Sequence, residues 1–167
     1  MRLALTLLIA VIALPLTGEP ITTVILVRHA EKASSDEDPP LSAAGTARAA
    51  ELARVLSATR IDTIYTTQYV RTKDTAAPVA KALGVQAQVF PAGKGYAAAI
   101  AAKIRDHHQG QTVLVAGHSN STSDVARALG AENVPKIDES QYDYLFIVTL
   151  SGEDESLVVL RYGPPTP

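Results

Sequence analysis

Two kinds of segment alternate along the chain. Short runs of β-branched and other apolar residues are followed by longer, alanine-rich stretches in which apolar positions recur at helical spacing. Runs of the first kind predict buried strands, and the longer stretches predict amphipathic helices. Strands that alternate with helices are typical of an α/β protein with helices on both faces of a parallel sheet. The pattern therefore predicts a three-layer α/β/α sandwich around a mostly parallel central sheet.

Six strands and four helices can be placed on this pattern. Ser42 can cap the first helix, and Gly84 can end the second. Pro164 and Pro165 indicate a frayed C-terminal end. The predicted strands span residues 22–27, 61–66, 85–90, 112–116, 144–150 and 157–162. The predicted helices span residues 42–57, 70–83, 95–108 and 121–129.

The N-terminus has the pattern of an export signal. Met1 and Arg2 form a short basic start, and residues 3–16 are an almost unbroken apolar run that ends before Gly18. Such a run suits a signal peptide and is short for a membrane-spanning helix. We therefore expect a signal peptide over residues 1–18, with the cleavage point left open, and a single domain over residues 19–167 in the periplasm or outside the cell. A buried element of the fold and an uncleaved membrane anchor are the alternatives.

Composition excludes several function classes. The chain has no cysteine, which excludes disulfides and thiolate nucleophiles. A formal net charge of −2 gives no long-range field that would attract nucleic acid. Contact with a membrane is expected only through an uncleaved leader. No pattern calls for a metal or another cofactor, and none fixes the oligomeric state.

Basic and imidazole side chains follow three of the predicted strands. Arg28 and His29 come directly after the first strand, His118 follows the fourth, and Arg71 lies just beyond the second. Ligands of open α/β sheets bind outside the carboxyl ends of the strands. Arginine offers a planar fork of donors that matches phosphate oxygens, and histidine can act as donor, base or nucleophile. The four residues therefore predict an anion site.

Four motifs surround these residues in a fixed order. They are Arg28-His29-Ala30, an L-S-x-x-G-x-x-R-A stretch over residues 41–49, an R-x-x-x-T-A stretch over residues 71–76, and Gly117-His118-Ser119. Together they resemble the histidine phosphatase superfamily, which includes the phosphoglycerate mutases and acid phosphatases. The resemblance covers roughly residues 22–160 and is greatest to the compact, phosphohistidine-phosphatase-like branch.

The resemblance implies a chemistry for the site. His29 would be the nucleophile and become phosphorylated, while Arg28, Arg71 and His118 hold the transferring phosphoryl group. Water would then hydrolyse the phosphoimidazole without a metal. Phosphoryl transfer depends mainly on positioning and charge stabilisation, which these residue types can supply. The expected substrate is a small phosphorylated compound or a phosphoprotein.

The acid that protonates the leaving group is not evident. Members of the family usually supply a carboxylic acid, but residues 86–103 contain no Asp or Glu. Glu31, Asp74 and Glu139 are the candidates, beside Asp138 and Asp143. Asp74 lies one helical turn from Arg71 and could instead be its structural partner. Glu31 could instead orient a basic residue.

The missing acid leaves more than one function open. A phosphatase without it would favour good leaving groups, as in phosphohistidine, acyl phosphates and aryl phosphates. A noncatalytic module that binds phosphate or a phosphoprotein is the alternative. A mutase is disfavoured, because the chain lacks room for a specificity cap. Among other residues, we expect Tyr142 to pack on the sheet. We expect Asn120 to cap a helix, with a donor to the pocket as the alternative. Lys94 and Tyr96 lie in a glycine-flanked loop that could contact the substrate, although a structural role is favoured.

Overall fold

The computed structural model describes residues 18–167. All but the last residue of the predicted leader therefore lies outside the described residues. The strands are β1 (Thr22–Arg28), β2 (Thr63–Thr66), β3 (Ala87–Val89), β4 (Thr112–Gly117), β5 (Tyr144–Ser151) and β6 (Asp154–Arg161). The helices are α1 (Ala43–Val55), α2 (Val70–Leu83), α3 (Tyr96–His107) and α4 (Ser119–Ala128). Within the described range, no helix is both long and apolar enough to cross a membrane.

All six strands form one sheet, in the order β3-β2-β4-β1-β5-β6. The first four of these are parallel to one another, whereas β5 runs antiparallel to β1 and β6 antiparallel to β5. The predicted α/β/α sandwich with a mostly parallel sheet is confirmed. Because β1 and β4 are neighbours, with Arg28 opposite Gly117, their carboxyl ends lie side by side.

Each face of the sheet has its own apolar core. Leu26 of β1 packs with Ile100 of α3 and other residues on one face. Ile25 of the same strand packs with Leu52 of α1 and Val79 of α2 on the other face. A strand that is covered on both faces needs apolar residues at successive positions. This burial explains the continuous apolar run that predicted β1.

Most predicted element ends are confirmed to within two residues. The Ser42 side chain accepts a hydrogen bond from the Gly45 N–H at 3.1 Å and caps α1, and Gly84 ends α2 with a φ of 68°. The last strand begins at Asp154, three residues earlier than predicted. A two-residue turn joins β5 to β6, and pairing already starts at Ser151 and Asp154. Polar residues can enter this strand because it lies at the exposed edge of the sheet.

A buried cation ties the loop after β1 to α1 and to the C-terminal tail. The Arg48 side chain is 2% exposed and donates to the Glu31 carboxylate at 2.8–3.0 Å. It also donates to the carbonyl oxygens of Tyr162 at 2.8 Å and Pro164 at 2.9 Å. A Cβ atom at position 45 would overlap the Glu31 carbonyl oxygen, which explains the glycine there. The prediction of a frayed end at Pro164 is therefore wrong, because Arg48 needs acceptors that this tail supplies.

Replacing Arg48 by Ala should destabilise the fold strongly. The change leaves the Glu31 carboxylate without its cation and two carbonyl groups without a donor. We expect the free energy of unfolding to fall by about 3 kcal/mol, measured by urea denaturation followed by circular dichroism. Arg54→Ala is the matched control, because Arg54 pairs with Glu51 on the surface and its side chain is 72% exposed. Equal losses in the two variants would contradict the assigned role of Arg48.

Candidate active site

The pairing of β1 with β4 brings two histidines together. His29 follows β1, and its backbone N–H donates to the carbonyl oxygen of Gly117 at 2.9 Å. His118 comes directly after Gly117, so both imidazoles project from the same edge of the sheet. Their ring centroids are 5.4 Å apart in an edge-to-face arrangement.

A cavity of about 570 Å³ opens beside these histidines. Its wall combines the imidazoles with one guanidinium group, one ammonium group, hydroxyl groups and two aromatic rings. The first turn of α4 also reaches the cavity, and the N-terminus of a helix favours an anion. The lining residues are His29, Lys32, Tyr69, Arg71, Ala92, Gly93, Tyr96, His118, Ser119, Asn120, Ser121 and Glu139.

The His29 ring is held in one tautomer. Its Nδ1 atom lies 2.8 Å from the carbonyl oxygen of Ala30, which can only accept, so Nδ1 carries the proton. Nε2 therefore keeps its lone pair. The Ala30 N–H in turn donates to the Thr75 hydroxyl at 2.9 Å, and that hydroxyl donates to the carbonyl oxygen of Arg71 at 2.7 Å. Thr75 of the R-x-x-x-T-A motif thus links the loop of His29 to α2.

His118 is fixed by the residues before α2 and at the start of α4. It is the N-cap residue of α4, and its backbone N–H donates to the Ser121 hydroxyl at 2.9 Å. Its Nε2 atom lies 3.1 Å from the hydroxyl of Thr67, which also contacts the hydroxyl of Thr72 at 2.9 Å. The prediction that Asn120 caps the helix is wrong, since α4 begins at Ser119 and places Asn120 on the cavity wall.

Both histidines are neutral at neutral pH. The pKa of His29 is lowered from 6.5 to about 3, mainly by burial. The positive charges of Arg28 and Arg71 act in the same direction, whereas the hydrogen bond to Ala30 opposes the shift. Burial also lowers the pKa of His118, to about 4, with Arg71 and Arg28 acting in the same direction. The Nε2 lone pair of His29 is therefore available without prior loss of a proton.

Arg71 projects into the cavity from the first turn of α2. Its guanidinium carbon lies 4.3 Å from the centre of the Tyr69 ring. It donates to the carbonyl oxygen of Glu37 at 3.2 Å, and it lies 3.5 Å from the Asp38 carboxylate, which also accepts from the Val70 N–H at 2.9 Å. Asp38 is therefore the carboxylate beside Arg71, and the alternative that Asp74 pairs with Arg71 is wrong.

Arg28 lies behind the cavity wall. Its side chain is 1% exposed and stacks on Tyr142 at 4.0 Å. One terminal nitrogen donates to the carbonyl oxygens of Asp138 and Gln141 at 2.8 Å, and the other donates to the Glu139 carboxylate at 3.0 Å. Its Nε atom has no hydrogen-bond partner among the described residues. Tyr142 therefore lies beside Arg28 rather than packing on the sheet as predicted.

Glu139 is the acid candidate that the fold places in the cavity wall. Its Oε1 atom accepts a hydrogen bond from the Ser119 hydroxyl at 2.5 Å, and Oε2 accepts from Arg28. The Ser119 hydrogen bond, with the charges of Arg28 and Lys32, lowers the pKa of Glu139. Glu139 is therefore a carboxylate at neutral pH.

The remaining acid candidates lie elsewhere. Glu31 binds Arg48, and Asp74 lies in a groove with Pro40 and Lys81. Asp143 is buried beside Arg161. The site residues that the sequence analysis missed are Thr67, Tyr69, Thr75 and Tyr142; only Thr75 had a signal, through its place in a quoted motif. Within the described part of the chain, no three His, Cys, Asp or Glu side chains are grouped as metal ligands.

The fold and this cavity define an α/β protein with a cavity lined by cationic and imidazole groups at the carboxyl edge of its sheet. Residues 24–92 match the sequence model of the histidine phosphatase superfamily (branch 1). The match confirms the resemblance to that superfamily. No curated protein sequence matches the chain.

Solved structures share the whole fold. The protein histidine phosphatase SixA, in a complex with tungstate, is 19% identical, with a TM-score of 0.68 over 83% of this chain and 96% of that one. SixA from Agrobacterium tumefaciens is 21% identical, with a TM-score of 0.61 over 86% and 98%. A mycobacterial glucosyl-3-phosphoglycerate phosphatase is 13% identical, with a TM-score of 0.65 over 85% and 98%. The chain thus has the histidine phosphatase fold at the size of these compact domains.

The two buried histidines should make the fold sensitive to acid. Their pKa values are lower in the folded protein than the ordinary 6.5, so below about pH 6.5 the unfolded chain binds protons that the folded chain does not. We expect the free energy of unfolding to fall from pH 6.5 to about 4, by up to about 1.4 kcal/mol per pH unit for each histidine.

Urea denaturation at stepped pH checks this expectation. The double variant His29→Gln with His118→Gln should lose that part of the acid sensitivity, whereas His107→Gln, at an exposed position, is the matched control. Identical pH curves for the parent and the double variant would contradict the assignment.

Proposed function

We propose that the chain is a phosphatase that hydrolyses phosphomonoesters or phosphoramidates through a phosphohistidine on His29. The observation that carries the proposal is the neutral His29 ring, with Nδ1 bound to Ala30 and Nε2 free at a cavity that holds Arg71 and His118. The superfamily match over residues 24–92 supports phosphatase chemistry. The two SixA proteins, a protein histidine phosphatase and a phosphohistidine phosphatase, share only the fold with this chain.

The proposed reaction has two displacement steps. In the first, the Nε2 lone pair of His29 attacks phosphorus, and the bond to the leaving group breaks with its electron pair. In the second, a water oxygen attacks phosphorus, the bond to Nε2 breaks, and phosphate leaves with the ring restored. Nδ1 keeps its proton on the Ala30 carbonyl oxygen throughout, which holds the ring in line.

Cationic groups stabilise the transferring phosphoryl group in this scheme. Arg71 and His118 line the cavity, and Arg28 lies directly behind it with its Nε atom unpaired within residues 18–167. An anion in the cavity raises the pKa of a neighbouring imidazole. The proposal therefore has His118 take up a proton when the phosphoryl group binds, which adds a donor to its oxygens.

The first test is hydrolysis of an aryl phosphate by the parent and by His29→Ala. We expect the variant to lose activity by about 10³-fold or more, and the parent to form an acid-labile, base-stable phosphoryl group when the reaction is quenched. His107→Ala is the matched control. Phosphate binding by the parent without turnover would contradict the proposal and favour the noncatalytic binding module.

The identity of the leaving group should matter strongly. Both oxygens of the Glu139 carboxylate accept hydrogen bonds and its pKa is low, so it does not serve as a proton donor in this arrangement. General acid help is worth about 10²–10⁴-fold where it is present. The proposed substrates are therefore those with good leaving groups, such as phosphohistidine, acyl phosphates and aryl phosphates.

The variant Glu139→Gln distinguishes two roles for Glu139. The residue is either a proton donor or a carboxylate that competes with the substrate for Arg28. We expect the variant to keep its kcat for aryl phosphates and to bind inorganic phosphate several-fold more tightly, because one negative charge beside the cavity is removed. Inhibition by phosphate gives the affinity, and Glu132→Gln, outside the cavity, is the control. A loss of about 10²-fold or more on alkyl phosphates, with aryl phosphates spared, would identify Glu139 as the acid and overturn this assignment.

Action outside the cytoplasm remains part of the proposal. It rests on the basic start and the apolar run of residues 3–16. The substrate would then be a phosphorylated compound or protein of the periplasm or the medium.

A further inference from the structure

The last strand of the sheet has an unprotected apolar edge. Within the described residues, β6 pairs with β5 and with no other strand. Its central residues run Leu157-Val158-Val159-Leu160, of which the last three are 48%, 39% and 45% exposed. Natural proteins usually protect such an edge with a charge, a proline or a bulge. In β6 the charged residues lie at the two ends of the strand.

The contacts of β6 with β5 show which backbone groups remain free. The Tyr162 N–H donates to the carbonyl oxygen of Asp143, so this even-numbered residue directs its N–H towards β5. Backbone groups of a strand alternate between its two edges. The N–H and C=O groups of the odd-numbered residues therefore point away from the sheet. These residues are Glu155, Leu157, Val159 and Arg161.

Two copies of β6 fit each other in one antiparallel register. With a two-fold axis at Val158, Leu157 lies opposite Val159 of the other copy, and Glu155 lies opposite its Arg161. Opposite charges and apolar pairs that face each other across two strands are favourable. Moving the axis to residue 157 places Glu155 opposite Val159, and moving it to residue 159 places Arg161 opposite Leu157. Of these three registers, only the one with its axis at Val158 places Glu155 opposite Arg161.

Charged groups lie at the two ends of the strand. The Arg161 guanidinium donates to Asp143 at 2.7 Å and stacks over Tyr144 at 3.6 Å, both on the β5 side of β6, and its side chain stays 45% exposed. Glu155 makes no ion pair with any residue in the described range. An acidic start and a basic end make β6 complementary to itself when it is reversed.

We infer that β6 is the interface of a homodimer in which two six-stranded sheets join into one continuous sheet. The partner is a second copy of this chain. When β6 of that copy runs antiparallel, its charges lie opposite the opposite charges of the first strand, and its free backbone groups face those of the first strand. β6 contributes no residue to the cavity of His29, so both cavities stay open in the dimer. This inference does not depend on the proposed phosphatase activity.

A single cysteine at the axis tests the register. The chain has no cysteine of its own. Val158 would face Val158 of the other copy at a pair without hydrogen bonds, where Cα atoms are about 4.5 Å apart and a disulfide can form. We expect Val158→Cys to give a disulfide-linked dimer under mild oxidation at least about tenfold faster than Val55→Cys, which is 40% exposed on α1. Equal rates for the two variants would overturn the inference.

Charge variants test the same interface without a covalent bond. Light scattering of the full chain should give twice the mass of one chain, and Glu155→Arg should give the mass of one chain. Adding Arg161→Glu to that variant should restore the dimer, and Glu153→Arg in the turn is the control. Circular dichroism establishes that each variant is folded. A parent with the mass of one chain, or a dimer that Glu155→Arg leaves intact, would overturn the inference.

Discussion

The site depends on the parallel pairing of β1 with β4. This pairing sets Arg28 opposite Gly117 and ties the His29 N–H to the Gly117 carbonyl oxygen, so the residues that follow the two strands lie side by side. More than 80 residues separate His29 from His118 in the chain, yet their rings are 5.4 Å apart. The helices on both faces bury this pair of strands and keep its register from slipping. Everything proposed for the cavity requires these two strand ends to stay together.

Electrostatics then determines the state of the histidines. Two arginines and two imidazoles converge in a partly buried region, and burial lowers the pKa of both imidazoles well below neutral pH. The electrostatic cost of bringing these four side chains together is reduced, because the two imidazoles stay neutral. Glu139 on the rim balances Arg28, and Asp38 lies beside Arg71. In the proposed function, an incoming anion would offset the charge of the guanidinium groups and favour the protonated form of His118.

The motif residues that touch nothing in the cavity have structural reasons of their own. Gly45 allows the Glu31 carbonyl oxygen to approach α1, Arg48 binds the Glu31 carboxylate, and Thr75 accepts from the Ala30 N–H. All three therefore hold the loop that begins with His29. This explains why the resemblance extends beyond the four residues expected to carry the chemistry. Apart from the isolated bridge between Lys32 and Leu41, this segment lacks regular strand pairing, so these contacts help to fix it.

By itself, the sequence determined the fold class, the element order and three of the residues that meet at the cavity, His29, Arg71 and His118. It could do so because hydrophobic periodicity reflects burial, and because the ends of parallel strands fall on one edge of a sheet. Tertiary structure decided the rest. Arg28 lies behind the cavity wall and donates to residues 138–141. Of the acid candidates, Glu139 lies in the cavity wall, whereas Asp74 lies in a different groove. The position of Arg28 depends on contacts between segments about 110 residues apart. Local sequence patterns do not indicate which distant carboxylate or carbonyl group a guanidinium will bind.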